Sequence, residues 1–272
     1  MRIAPSHYPA AVPEPDPLDF TGRVVLVTGG AGGVGRGISE AYLAHGAAVV
    51  ICARNQPDPP VNFARGVPHF IACDVREAEA VDAMVTEIVD RFGRLDVAVN
   101  NAGGSPPADS ATASPRFTTA IIMLNLVAPM LVSQRANLVM QEQDGGGSII
   151  NITSVNGIRP SPRTAAYGAA KAGLINLTTS LAVEWAPKVR VNTVTAGIVG
   201  TEEIFRVHYG NDRARIAELS AGVPMGRMAD PSDVGDACLF LASPLARHVS
   251  GATLLVHGGG EPSDSSTPGP AS

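Results

Sequence analysis

Arg23-Val-Val-Leu-Val-Thr28-Gly29-Gly30-Ala31-Gly32-Gly33-Val34-Gly35 is the stretch that decides the fold. Its first half is a short, β-rich apolar run, as expected of a strand buried on both faces. Its second half is a glycine cluster, and an amphipathic helix follows to about His45. Glycines between a strand and a helix permit a tight turn and let backbone N–H groups approach a pyrophosphate, with the helix dipole adding attraction. A flexible loop is the competing reading; the position directly after a first strand favours the phosphate turn.

The alternation continues outward from there. Ala47–Cys52, Pro68–Ala72, Leu95–Asn100, Gly147–Ile152, Lys188–Val194 and Gly251–Val256 read as strands two to seven. Glu77–Phe92 carries Val81, Met84, Val85, Ile88 and Val89 at helical spacing, with Gly93 placed to end it. Residues 115–141 and 164–185 read as further helices, and 195–230 as irregular chain with short helical pieces. Asp230-Pro231 opens a last helix, with Asp as N-cap and Pro at the first helical position. Strands alternating with helices imply an α/β class: a single-domain, doubly wound (Rossmann-like) parallel sheet of about seven strands with helices on both faces. Such sheets bind ligands beyond the carboxyl ends of their strands. Residues 20–260 form that one domain, and the Pro-rich 1–19 and Ser/Pro/Gly-rich 261–272 are expected to be disordered tails.

Composition narrows the function. The 272 residues are 45% hydrophobic and 17% charged, with a net charge of −5 and no basic run, which argues against nucleic acid as a partner. No apolar stretch approaches membrane-spanning length, and prolines interrupt any apolar core of a secretion signal. Cys52, Cys73 and Cys238 are odd in number, far apart and set among apolar neighbours. They read as buried free thiols of a reducing cytoplasm, with no disulfide or metal framework.

Four positions bear chemistry. Tyr167 and Lys171 are four residues apart on the 164–185 helix, so they share a face one turn apart. A free phenol has a pKa of about 10, and a cation within about 4–6 Å favours the phenolate, toward the range where acid–base work is efficient. Taken alone, the pair is more often a surface contact. Ser154, at the carboxyl end of the fifth strand, reads either as a turn or cap residue or as a donor to a carbonyl oxygen that develops alkoxide charge. Thr153 is the neighbour with which it is most easily confused. Asn125 interrupts the apolar run Ile121-Ile122-Met123-Leu124. A buried amide without partners costs about 1–3 kcal/mol, so something specific must satisfy it.

The end of the second strand bears on the cofactor. Ala53 stands where an acidic side chain would receive the ribose diol of NAD, and Arg54 follows. A carboxylate repels a 2′-phosphate and a guanidinium pairs with it, so NADP(H) is preferred, with NAD(H) possible. Arg54 as a solvated loop charge is the alternative. Arg36 is a second basic candidate, or a side chain turned to solvent.

Thr28–Gly35 has the form T-G-x-x-x-G-x-G, Asn100-Asn101-Ala102-Gly103 follows the fourth strand, and Ser154 precedes Tyr167-Gly168-Ala169-Ala170-Lys171 by thirteen residues. With these motifs in this order, residues 20–260 resemble the short-chain dehydrogenase/reductase family. The resemblance implies hydride transfer between a nicotinamide and a carbonyl or secondary alcohol, with Asn125, Ser154, Tyr167 and Lys171 as catalytic residues and no metal. It implies that Gly29, Gly33, Val34 and Gly35 cradle the pyrophosphate. Asp74, followed by Val75, would meet the adenine amino group, or only cap the helix that begins nearby. Asn100, Asn101, Ala102 and Gly103 would line the groove; Tyr167 and Lys171 would reach the ribose; Gly197, Val199 and Thr201 would hold the carboxamide. Asn125 would distort its helix and hold a water that meets Lys171, against the alternative of a core amide bonded to neighbouring backbone.

The sequence also departs from that pattern. Gly32 stands where many NADP-using relatives have a basic residue, Ala196-Gly197 replaces Pro-Gly, and His257 replaces an Asp. Walls at 104–116, 155–163 and 202–225 suit a 3-ketoacyl chain or a polycyclic, hydrophobic ketone. The apolar faces of the helices bearing Asn125 and Tyr167 imply a homo-oligomer, a tetramer. The runner-up is a catalytically silent dinucleotide-binding regulator of the same fold, which leaves the four catalytic side chains unexplained. A purely structural α/β module leaves the glycine turn unexplained as well.

Overall fold

The structure, a computed structural model, describes residues 16–58, 60–210 and 212–260. In chain order the elements are β1 (Val24–Thr28), α1 (Gly33–Ala44), β2 (Ala48–Ala53), β3 (His69–Ala72), α2 (Ala78–Phe92), β4 (Val97–Asn100), α3 (Pro115–Ile122) and α4 (Ala128–Glu142). They are followed by β5 (Gly147–Ser154), α5 (Ala165–Glu184), β6 (Val189–Ala196), α6 (Glu202–Tyr209), α7 (Arg213–Gly222), α8 (Pro231–Ala242) and β7 (Thr253–Val256).

All seven strands run parallel in the order β3-β2-β1-β4-β5-β6-β7. The chain moves outward from β1 through β2 to β3, then returns to the other side of β1 with β4. That reversal opens a crevice at the carboxyl ends of β1 and β4, where such sheets take their ligands. Central β1 shows why it is apolar throughout: Val24 and Leu26 feed the core under α2, α4 and α5, while Val25 and Val27 feed the core under α1 and α8. In register, Leu26 lies between Val50 of β2 and Ala98 of β4.

Several boundaries differ from the sequence reading. β5 and β6 run on to Ser154 and Ala196, past the expected ends at Ile152 and Val194, because Thr153 and Thr195 continue the ladder and face each other. The stretch read as irregular contains α6 and α7, capped by Thr201 and Asp212, whose side chains accept from Ile204 N–H and from Ala214 and Arg215 N–H. The expectation that no stretch approaches membrane-spanning length also needs correction. Pro115–Glu142 is a continuous 28-residue helical run containing an 18-residue window of mean hydropathy 1.6, long and apolar enough by composition to span. It is placed as a core helix, with Ala128, Val132, Ala136 and Met140 buried against the sheet. Of the two expected tails, 1–15 and 261–272 lie outside the described residues; at 16–19 the chain forms a turn and Leu18 packs against the core. All three cysteines are buried and free.

Candidate active site

Gly29 turns the chain out of β1 at φ +65°, and its N–H donates to the Cys52 carbonyl at 2.8 Å. Thr28 Oγ1 accepts from the N–H groups of Asn101 and Ala102, both at 3.0 Å, and Asn101 Nδ2 donates to the Thr28 carbonyl at 2.9 Å. The turn after β1 and the loop after β4 are therefore one hydrogen-bonded piece. A Cβ on Gly35 would meet the Gly29 carbonyl oxygen at 2.2 Å, so α1 starts closer to the turn than any larger residue permits. The other side is open: a Cβ on Gly32 would meet nothing within 4 Å, and one on Gly33 only Thr201 Cγ2 at 3.8 Å. An open glycine cradle at a helix N-terminus fits a pyrophosphate. Val34 adds an apolar contact to the core behind it.

At the β3 side of the sheet, Arg54 follows β2 as an exposed side chain and Asp74 follows β3. Cys73 N–H donates to the Ala53 carbonyl at 2.9 Å, which sets Asp74 and Arg54 side by side at the sheet edge. Arg76 grips the Asp74 carboxylate and, with Arg54 adding to the field, holds its pKa down at about 2. Val75 turns its side chain into the core, leaving only its backbone for a ligand. Arg36, the second basic candidate, is committed elsewhere: it pairs with Glu40 at 3.1 Å, donates to the Asn62 carbonyl at 2.8 Å and lies over Phe63.

Ser154, Tyr167 and Lys171 meet at the carboxyl end of β5. A Cβ on Gly168 would meet Ser161 Cβ at 2.7 Å and the Asn156 carbonyl oxygen at 2.8 Å, so this glycine lets the chain after Ser154 lie directly on α5 beside Tyr167. Ser154 Oγ accepts from Asn156 N–H at 3.2 Å, capping a 3-10 turn at Val155–Gly157, and its side chain is hydrogen-bonded to Tyr167. Thr153 is excluded as its rival: it is buried between β5 and β6 with its hydroxyl 2.5 Å from that of Thr195. Lys171 is 3% exposed; its Nζ donates to the Ile152 carbonyl at 2.9 Å and stands 5.6 Å from the Tyr167 ring centroid.

The electrostatics here differ from the sequence reading. Burial raises the Tyr167 phenol above its ordinary value, the Ser154 hydrogen bond opposes that, and Lys171 is not among the causes. Burial instead drives the Lys171 ammonium down to about 8. Desolvation is a tertiary property, which the four-residue spacing of Tyr167 and Lys171 does not reveal.

Asn125 is fully buried in a π-helical turn, Met123–Val127, that joins α3 to α4. Its Oδ1 accepts from Gly104 N–H at 2.8 Å, while Nδ2 donates to the carbonyls of Gly104 and Ile121, each at 2.9 Å. The distortion expected of this position is present, and backbone satisfies the amide. A Cβ on Gly103 would come within 2.6 Å of Asn125 Oδ1 and 3.3 Å of Lys171 Nζ, so the loop after β4 reaches the ammonium. Asn100 points its side chain away, donating to Ser133 Oγ and Asn151 Oδ1, both at 2.8 Å, and offers the groove only backbone.

Opposite, the loop Gly197–Thr201 is held by backbone. Gly197 N–H donates to Val256 O at 2.9 Å, Gly200 N–H to Ala229 O at 2.8 Å, and Val199 bridges Ala229. These bonds restrain the loop that lacks the family's proline. Thr201 Oγ1 accepts from Ile204 N–H at 3.2 Å. Across the cleft mouth, Ala108 N–H donates to the Arg163 carbonyl at 2.8 Å, tying two of the expected walls together. Among the described residues no group of three or more His, Cys, Asp or Glu side chains converges on a metal-sized site. Reading by motif missed the Arg76 clamp and the Thr28 tie; a basic residue two positions after Asp74 was the available signal for the first.

A family model described as enoyl-(acyl carrier protein) reductase matches residues 29–261. The D-threitol dehydrogenase of Mycolicibacterium smegmatis is 34% identical over 244 residues, covering 88% of this chain and 92% of that protein. An uncharacterized short-chain type dehydrogenase/reductase of Sinorhizobium fredii is 37% identical over 245 residues, with the chain spanning 43% of its length. The ligand-free structure of aldohexose dehydrogenase from Thermoplasma acidophilum superposes with a TM-score of 0.81 at 31% identity, covering 89% of this chain and 94% of that one.

Proposed function

The chain belongs to the short-chain dehydrogenase/reductase family and is an NAD(P)(H)-dependent oxidoreductase; on that premise we propose that it interconverts a hydrophobic ketone and its secondary alcohol with NADP(H). The observation that carries the reading is the meeting of Ser154, Tyr167 and Lys171 beside a glycine cradle at the carboxyl ends of the central strands.

When bound, the nicotinamide supplies or takes the hydride. The protein's own part is the oxygen. Ser154 and Tyr167 place two hydroxyl donors on one substrate oxygen: Ser154 donates a hydrogen bond that strengthens as alkoxide charge develops, and Tyr167 gives up its proton. Lys171 stabilises the phenolate left behind and holds the ribose hydroxyls. Asn125 positions the loop wall that meets Lys171, through its grip on Gly104. Gly29, Gly33, Val34 and Gly35 cradle the pyrophosphate, Asn101, Ala102 and Gly103 line the groove, and Gly197, Val199 and Thr201 hold the carboxamide side. Asp74, with the Val75 backbone, takes the adenine, and Arg54 pairs with the 2′-phosphate.

The substrate reading, a 3-ketoacyl chain or polycyclic ketone, is supported by the apolar wall after Ser154, where Ile158 is 53% exposed. A homotetramer is supported by Leu138 on α4 and Val183 on α5, exposed apolar side chains on the two helices. A ketone and alcohol panel assayed with both NADPH and NADH tests the reading. Turnover of bulky apolar ketones with NADPH is expected; turnover confined to small polyols with NADH would replace it, and none with either would favour the silent regulator.

A further inference from the structure

The carboxylate at the end of β3 is already engaged by a residue two positions on. Arg76 Nε donates to Asp74 Oδ1 at 2.8 Å, Nη2 donates to Oδ2 at 2.5 Å, and the Arg76 backbone N–H donates to Oδ1 at 3.1 Å. The backbone bond alone closes the Asx turn. The guanidinium therefore adds something the turn does not need: a bidentate fork, which fixes the plane of a carboxylate as well as meeting its charge. Oδ1 takes two donors. Oδ2 takes one and keeps a lone pair for another.

The side chains are 25% and 33% exposed, so the pair belongs to the rim of the crevice and not to the core. Ion pairs that accessible add little to fold stability. Arg54 stands beside them and acts on the same carboxylate. Glu77 in turn acts on Arg76, so the charges at this end of the sheet are close to balanced and the Asp74 carboxylate is not left as a bare negative charge.

We propose that Arg76 is a positioning residue for the cofactor. It locks Asp74 with one Oδ2 lone pair directed to the exocyclic amino group of a purine, and it covers the carboxylate charge so that a phosphorylated ribose can sit beside it. The inference rests on the reading of Asp74 as the adenine contact given above.

A double-mutant cycle tests it on the full-length enzyme, with NADPH as the titrated cofactor. Arg76→Met is expected to raise the cofactor KM about five- to tenfold with kcat and the thermal midpoint essentially unchanged, and Asp74→Ala to do the same. The double variant should be no worse than Asp74→Ala alone. Arg76→Lys should recover only part of the loss, since an ammonium keeps the charge without the fork. An unchanged KM in Arg76→Met while Asp74→Ala raises it would overturn the proposal, as would penalties that multiply in the double variant. If Asp74→Ala itself leaves KM unchanged, the adenine reading fails, and a rise in Arg76→Met alone would then assign Arg76 a direct contact in place of the proposed one.

Discussion

Lys171 Nζ donates to the Ile152 carbonyl at 2.9 Å while standing 5.6 Å from the centroid of the Tyr167 ring. The ammonium is thus anchored to the end of β5 and sealed from water, and the sheet determines where the charge sits under the phenol. Burial lowers its pKa from 10.5 to about 8. In the unfolded chain the lysine binds its proton up to about pH 10.5, so the cost of burying the charge is fully present below pH 8 and fades as the pH rises from 8 to 10.5. Relative to a Lys171→Met variant, the protein without cofactor should therefore gain up to about 3 kcal/mol between pH 7 and 11. Urea denaturation of both proteins across that range checks this; a stability difference that stays flat would mean the ammonium is solvated.

The glycine turn makes a sharper prediction. With the Gly29 carbonyl 2.2 Å from where a Cβ on residue 35 would be, the obstacle is backbone and cannot rotate away. Gly35→Ala should abolish dinucleotide binding, read by quenching of protein fluorescence or by calorimetry. Wild-type affinity in that variant would show that α1 does not need to start so close to the turn.

Asn125 satisfies both polar groups of Gly104 and the carbonyl of Ile121 from a fully buried position. Asn125→Ala should cost about 2–4 kcal/mol in chemical denaturation, through lost hydrogen bonds and partners left unpaired. It should also weaken cofactor binding, because the loop after β4 loses its anchor. A loss confined to kcat, with stability and affinity intact, would favour the water-relay role over the positioning role.

Cofactor choice has its own test. Removing a charge-assisted hydrogen bond is worth about 10- to 100-fold, so Arg54→Ala should lower kcat/KM for NADPH by that factor and leave NADH nearly unaffected. Equal effects on the two cofactors would remove Arg54 from the 2′-phosphate.

Much of this architecture is legible in the chain because local rules and the global fold agree. β1 reads as buried because both of its faces are apolar, and α2 reads as a helix because Val81, Met84, Val85 and Ile88 fall on one face and are all buried. Asp230 and Pro231 open α8 as their types predict, in a capping box with Asp233. What was not legible depends on partners distant in sequence or on burial. The four-residue step from Tyr167 to Lys171 places the cation correctly and says nothing of desolvation, which moves the phenol the other way. Arg36 is a basic residue near the turn by position, yet Glu40, Asn62 and Phe63 hold it elsewhere. Thr153 and Ser154 are neighbours of similar chemistry that both pair with β6, and only the contact with Thr195 shows which hydroxyl is committed inside the sheet.

We assign the transferred proton to the Tyr167 phenol. Tyr167→Phe keeps the ring against Lys171 and deletes only the hydroxyl, so single-turnover reduction of a ketone by bound NADPH isolates its role. The rate should fall by about 10²–10⁴ with NADPH affinity unchanged; a rate within a few fold of wild type would mean that another group carries the proton.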